Sequence, residues 1–230
     1  MLLVIDTALE KAHVALVQPE GLLSLRENTN SREHAGFVPS AIDEMCRETG
    51  IGLAEVAGVV VMNGPGSYTG LRVGLSAAKG ICFALEKPLY ALSTLELMAA
   101  ALIRHAGEQG VKIDSNSVFC PMIDARRLEV FTGLYHHSLT TVRKPFALIA
   151  DEQVLQELVG NSTTLFSGNG VQKLLHLFPR GVITFPELVY EPSDLARITN
   201  QLVPKIEAAD LAYIEPFYVK DFFNPLKSIS

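Results

Sequence analysis

Two aspartates, Asp6 and Asp124, occupy matching places in the chain. The segment VIDTALEKAHVALV (4–17) aligns with MIDARRLEVFTGLY (122–135), and each aspartate ends an apolar run just before a second one. Carboxylates at such strand ends suit magnesium beside a nucleotide, because the ion takes hard oxygens and keeps several waters. A phosphate must also come close to the turn backbone, which favours glycine there. The turns read Asp6-Thr7-Ala8-Leu9 and Asp124-Ala125-Arg126-Arg127, with no glycine in either. Asp6 and Asp124 are therefore weak candidates for holding Mg–ATP. The alternative, that each accepts from the amides of its own turn, fits the residue types better.

A second candidate is VVVMNGPGSYTGLRVG (59–74), an apolar run entering a glycine-rich loop that leads into a helix. A Walker loop needs glycine five positions after its first, then lysine; from Gly64 that place holds Thr69, and no lysine follows. The dinucleotide fingerprint requires glycine at the same place, and Gly70 comes one residue late. What remains is a turn in which Gly64, Pro65 and Gly66 reverse the chain and Ser67 or Thr69 caps the helix. Its free amides can accept an anion, or its glycines can let a neighbouring element pass close. The second reading makes the loop architectural.

Other chemistry is excluded more simply. The six histidines include no pair at helical i, i+3 or i, i+4 spacing and no HExxH. No GxSxG elbow occurs. Cys46, Cys82 and Cys120 stand apart in apolar contexts and read as reduced core thiols of a cytoplasmic protein. The sequence thus predicts no catalytic residue, no metal site and no cofactor.

Periodicity supplies the elements that position these residues. Strands are expected over 2–6, 13–17 and 22–29, a helix over 33–48, a strand over 56–62, a helix over 71–85, a short strand over 88–92 and a helix over 94–106. The second half repeats the order: strands over 118–123, 128–135 and 141–149, a helix over 151–158, a strand over 163–166 and a helix over 171–177. Agreement of local match and element order points to a duplicated α/β unit of the ribonuclease-H-like, actin and sugar-kinase kind. Two subdomains are expected, 1–100 and 101–230. A late helix in EPSDLARITNQLVPKIEAAD must end or bend at Pro204, and the aromatic tail IEPFYVKDFFNP docks on the body. No apolar run approaches a membrane span, and MLLVIDTALE reads as a first strand, not a signal peptide. A net charge of −6 over 230 residues argues against free-standing nucleic-acid binding.

The helix after the loop carries small residues on one flank (Gly70, Gly74, Ala77, Ala78) beside Ile81. Glycine inside a helix costs about 1 kcal/mol relative to alanine, and a close neighbour offsets that cost. The neighbour is either the protein's own sheet or a partner.

NGPGSYTGLRVGLSAAKGI (63–81) resembles the most specific signature of the TsaB family, also called YeaZ. LLVIDTA is similar to that family's first strand, with Ala8 where serine is more usual. EHAGFVPSAIDEM (33–45), PMIDARRLEVFTGLY (121–135) and EPFYVKDF (215–222) are similar to its first helix, the start of its second subdomain and its C-terminal motif. The resemblance implies a non-catalytic scaffold for threonylcarbamoylation of the adenosine beside the tRNA anticodon. It implies a TsaD-like catalytic paralogue bound through the two N-terminal helices, a TsaE-like ATPase joining the pair, homodimers, and tRNA contact only through the complex. His34, Phe37 and Val38 from the first helix, with Gly70, Leu71, Gly74, Ala77, Ala78 and Ile81 from the second, are the expected interface. An ATP-dependent transferase or kinase, or a peptidase, is the alternative.

Overall fold

The computed structural model describes residues 1–30, 33–160 and 162–220. Continuous β-branched runs give strands buried on both faces, the pattern of a sheet covered on two sides. β1 (Leu2–Asp6), β2 (Ala12–Gln18) and β3 (Gly21–Asn28) form an antiparallel meander; α1 (His34–Thr49) crosses to β4 (Val59–Met62), and α2 (Tyr68–Leu85) to β5 (Leu89–Leu92). β4 and β5 run parallel to β1, in the order β3-β2-β1-β4-β5.

The second half repeats this plan. β6 (Val118–Asp124), β7 (Glu129–His136) and β8 (Thr141–Ile149) meander, α4 (Glu152–Val159) leads to β9 (Thr164–Ser167), and the short α5 (Asn169–Gln172) precedes β10 (Ile183–Phe185). The order is β8-β7-β6-β9-β10, the same as in the first sheet. The expected duplication is therefore present, with Asp6 and Asp124 at the ends of equivalent strands. β10 was not expected. It is three half-buried residues, too short to show a period.

One face of the first sheet (Leu3, Ile5, Val59, Val61) packs on α1 and α2. The other (Val4, Val60, Met62) packs on α3 (Thr94–Glu108) and α6 (Pro192–Leu202). α3 is buried nearly all round, as a helix between two sheets must be: Leu97 and Ala100 meet the first sheet, and Met98, Ala99, Leu102 and Ala106 meet the second. Residue 100 lies in the middle of this helix. α6 ends in a 3-10 turn, Val203–Lys205, at Pro204 as expected, and returns to the first half. Asp194, fully buried, anchors it to α3 through Arg104 at 2.8 and 2.9 Å, and Arg197 of α6 donates to Ala100 O on α3 at 2.6 Å.

The tail docks as expected over its described part. Ala209 N donates to Leu89 O at 2.7 Å and Phe217 N to Asn63 O at 2.8 Å, while Lys79 Nζ donates to Ile214 O at 3.2 Å. Residues 221–225 of the tail stretch lie outside the described residues. No helix among the described residues is long and apolar enough to cross a membrane.

Candidate functional site

The cleft between the halves opens where β1 and β6 end. It encloses about 610 Å³ and is lined by Ala8, Leu9, Gly66, Ser67, Thr69, Asp124, Arg126 and Asn169, among others. Both strand-end aspartates bond to their own turns. Ala8 N donates to Asp6 Oδ1 at 2.8 Å, and Arg126 N to Asp124 Oδ1 at 2.7 Å.

Each carboxylate also has a partner brought from far along the chain. Tyr190, from the segment between β10 and α6, donates its hydroxyl to Asp6 Oδ2. His13 Nδ1 lies 2.9 Å from that hydroxyl, and His13 Nε2 lies 3.0 Å from Glu27 Oε1. Asp6 is fully buried, and burial raises its pKa against the pull of His13 and the Tyr190 bond. Asp124 is half exposed and paired with the Lys173 ammonium. Burial alone would raise its pKa, but Lys173 and the Arg126 amide outweigh that and hold it below the usual carboxylate value.

Magnesium and a nucleotide do not fit these groups. One carboxylate is sealed under a tyrosine, the other is neutralised by a lysine, and neither turn carries glycine. Among the described residues no three His, Cys, Asp or Glu side chains converge to hold a metal. Cys120 is a core thiol, its pKa pushed up to about 12 by burial.

The glycine loop is occupied by protein as well. Ser67 N donates to Ala8 O at 2.7 Å, and Ser67 Oγ caps α2 by accepting from Gly70 N at 3.2 Å. Thr69 is inside the helix and is not the cap. A Cβ on Gly66 would stand 2.1 Å from Ala8 O, and one on Gly64 would stand 2.5 Å from Phe217 O. The loop is a close-approach turn clamped between the β1–β2 turn and the tail.

Gly70, Gly74 and Ala78 of the small flank face inward, while Ala77 lines the outward groove between α1 and α2. A Cβ on Gly70 would lie 2.0 Å from Thr7 O and one on Gly74 2.4 Å from Thr7 Oγ1, which itself donates to Gly70 O at 2.7 Å. Leu71 and Ala78 are buried in the core, as are Val38 and His34 of α1. Gly70, Leu71, Gly74 and Ala78 pack within the chain because α2 must come close to β1 where that strand ends, while Val38, although buried, lines the groove between α1 and α2. Burial lowers the His34 pKa, with a Glu10 backbone bond opposing, and its Nε2 has no hydrogen-bond partner. Phe37, Ala77 and Ile81 are half-buried and partly reach the surface.

The outward faces of α1 and α2 form a groove of about 780 Å³ lined by Ala35, Pro39, Ile42, Arg72, Val73, Ser76, Ala77, Gly80 and Ile81, among others. At one end Arg72 stacks 4.0 Å over the Tyr68 ring and donates to the Tyr218 hydroxyl at 3.0 Å. Tyr190 and Lys173 escaped sequence reasoning, since neither lies in a motif. The only signal was the position of Lys173, one turn after Asn169 of the segment SGNG (167–170).

This is a duplicated α/β protein of the ribonuclease-H-like kind whose two strand-end carboxylates are closed by its own side chains. A family model described as TsaD, tRNA N6-adenosine threonylcarbamoyltransferase, matches residues 28–197. The chain belongs to that family, on its TsaB (YeaZ) side. It is 27% identical to the tRNA threonylcarbamoyladenosine biosynthesis protein TsaB of Escherichia coli, over 96% of this chain and 94% of that one. It is 30% identical to TsaB of Bacillus subtilis, over 59% of this chain and 55% of the relative, so that match spans about half the relative's length. A crystal structure described as an uncharacterized protein with similarity to peptidase YEAZ, from Pseudomonas aeruginosa, superposes with a TM-score of 0.76. It is 24% identical, with 95% of this chain and 99% of that one covered. That likeness shows the fold.

Proposed function

We propose that this protein is a non-catalytic subunit in the formation of threonylcarbamoyladenosine beside the anticodon of tRNAs reading codons that begin with A. It acts in the cytoplasm as scaffold and activator of a TsaD-like catalytic paralogue, with a TsaE-like ATPase joining the pair. The observation that carries this reading is the closure of both strand-end carboxylates by Tyr190 and Lys173. A chain of this family whose strand-end carboxylates are taken up by its own side chains contributes by binding a partner. The apolar α1/α2 groove is the surface for that partner, or for a second copy in a homodimer. The net charge of −6 supports tRNA contact only through the complex. We also divide the chain into subdomains 1–100 and 101–230, with α6 and the tail crossing back to the first.

Reconstitution tests the reading. The TsaD-like and TsaE-like proteins of the same organism are incubated with tRNA, threonine, bicarbonate, ATP and the enzyme that supplies the threonylcarbamoyl group, with and without this chain. Modification is expected only with the chain present, and none by the chain alone. Equal modification without it overturns the reading, as does ATP turnover by the isolated chain that Asp6→Ala and Asp124→Ala abolish.

A further inference from the structure

Lys173 follows the last residue of α5 and reaches to the mouth of the cleft. Its ammonium donates to Asp124 Oδ1 and, at 2.6 Å, to the main-chain oxygen of Glu129 across the β6–β7 turn. One charged and one neutral oxygen thus converge on a single cationic point. The turn is shaped to allow this convergence. Arg126 and Arg127 both adopt positive φ, at 73° and 47°, and Ala125 N donates to Glu129 O at 3.0 Å, closing the turn beneath the ammonium. Two left-handed non-glycine residues in succession are costly. They persist here because the surrounding bonds fix them. An ammonium with several donors and a hydrated divalent cation seek the same hard oxygens.

We propose that Lys173 stands as a built-in counter-ion at the end of β6, so that the oxygens gathered there are neutralised by the chain itself and the cleft excludes free magnesium. An aspartate carboxylate is ionised at neutral pH, so the position stays negative apart from the lysine. Removing the ammonium leaves Asp124 Oδ1 and Glu129 O turned towards one point, with the cleft supplying water for the remaining coordination positions. The first half has no counterpart, because Asp6 is sealed by an uncharged hydroxyl. The cation-like position therefore belongs to the second half alone. This inference deepens the non-catalytic reading, yet it stands on the β6–β7 geometry and not on the identity of the partner.

The test uses Mn²⁺ as the probe, with the free ion followed by electron paramagnetic resonance in titrations of the full chain. The natural protein is expected to leave Mn²⁺ free into the millimolar range. Lys173→Met is expected to bind one Mn²⁺ at least about tenfold more tightly, within the weak range of sites with few protein ligands. Adding Asp124→Asn removes the gain. Lys173→Gln keeps a donor for Glu129 O and carries the test if the methionine variant does not fold. In the natural protein, the carboxyl carbon resonance of Asp124 should stay unmoved by magnesium. Mn²⁺ bound at Asp124 with Lys173 in place, a magnesium-dependent shift of that resonance, or a folded Lys173 variant with no gain overturns the proposal. Lys173 does not line the α1/α2 groove, so affinity for the TsaD-like protein, measured on the same variants, separates failure here from failure of the partner reading.

Discussion

Gly70→Ala and Gly80→Ala place the same methyl group on the same helix and should change stability in opposite directions. At Gly70 the new Cβ stands 2.0 Å from the Thr7 carbonyl oxygen, more than an ångström short of ordinary contact. The obstacle is backbone at the end of a central strand, so no side-chain rotation relieves it. α2 must move off β1, which also stretches the bond from Thr7 Oγ1 to Gly70 O. Overpacking of this kind costs about 1–3 kcal/mol. With backbone as the obstacle the top of that range, about 3 kcal/mol, applies; the alanine returns about 1 kcal/mol of helix propensity, leaving a net loss of about 2 kcal/mol. At Gly80 nothing lies within 4 Å of the new Cβ, so the propensity gain of up to about 1 kcal/mol stands unopposed. For a chain of this size about 2–4 °C accompanies each kcal/mol. Thermal and urea unfolding should then show a fall of about 4–8 °C for Gly70→Ala and a rise of about 2–4 °C for Gly80→Ala. Equal stability of the two variants, or a Gly70→Ala protein as stable as the natural one, refutes the inward placement of the glycine flank.

Ile81→Glu, on the half-buried wall of the α1/α2 groove, should lower affinity for the TsaD-like partner at least about tenfold, or about 1.4 kcal/mol, with monomer unfolding little changed; calorimetric titration decides. Tyr190→Phe removes a donor from buried Asp6 and should cost about 1–3 kcal/mol at pH 7. The folded pKa of Asp6 is raised, so its favourable contribution is complete below the unfolded value and is lost as pH rises through the folded one. The Tyr190 bond supports the ionised form, so the cost of the variant should be smaller at pH 4 than at pH 7 in urea titrations; equal costs would rule this out. Asp194→Asn should lose about 2–3 kcal/mol at pH 7, less than an unpaired buried charge because Glu108 and Glu191 still face Arg104. Burial alone would raise the Asp194 pKa, but the Arg104 bond, the Glu191 amide and the arginine charges hold it below 3.8. The advantage of the natural residue is therefore present above that value and should vanish as pH falls through the folded pKa.

The duplication was legible because it is written twice, in the Asp6 and Asp124 segments and in the order of strands around them. The caps were legible for a local reason: Ser67 and Ser93 precede their helices and accept from Gly70 N and Glu96 N. The side to which α2 turns its glycines was not legible from the flank alone. A small flank looks the same whether it meets a strand or a partner. Its Leu71 and Leu75 neighbours, both in the core, held the only local hint. Tyr190 and Lys173 act on aspartates 184 and 49 positions away in the chain. No periodicity spans such separations, so the closure of the cleft becomes visible only in three dimensions.

The return of α6 to the first sheet bears on the order in which the molecule can be assembled. A ribosome makes β1 to β5 first, yet Leu195, Ala196 and Ile198 of α6, which cover Val4, Ala15, Val17 and Val60, come from near the end of the chain. Until they emerge, that apolar face of the nascent sheet lacks part of its cover. The stretch that fixes Asn63 and the α2 loop, 215–217, is later still. The earliest strands thus complete their packing last, and the amino-terminal half is finished by residues translated after the whole second sheet.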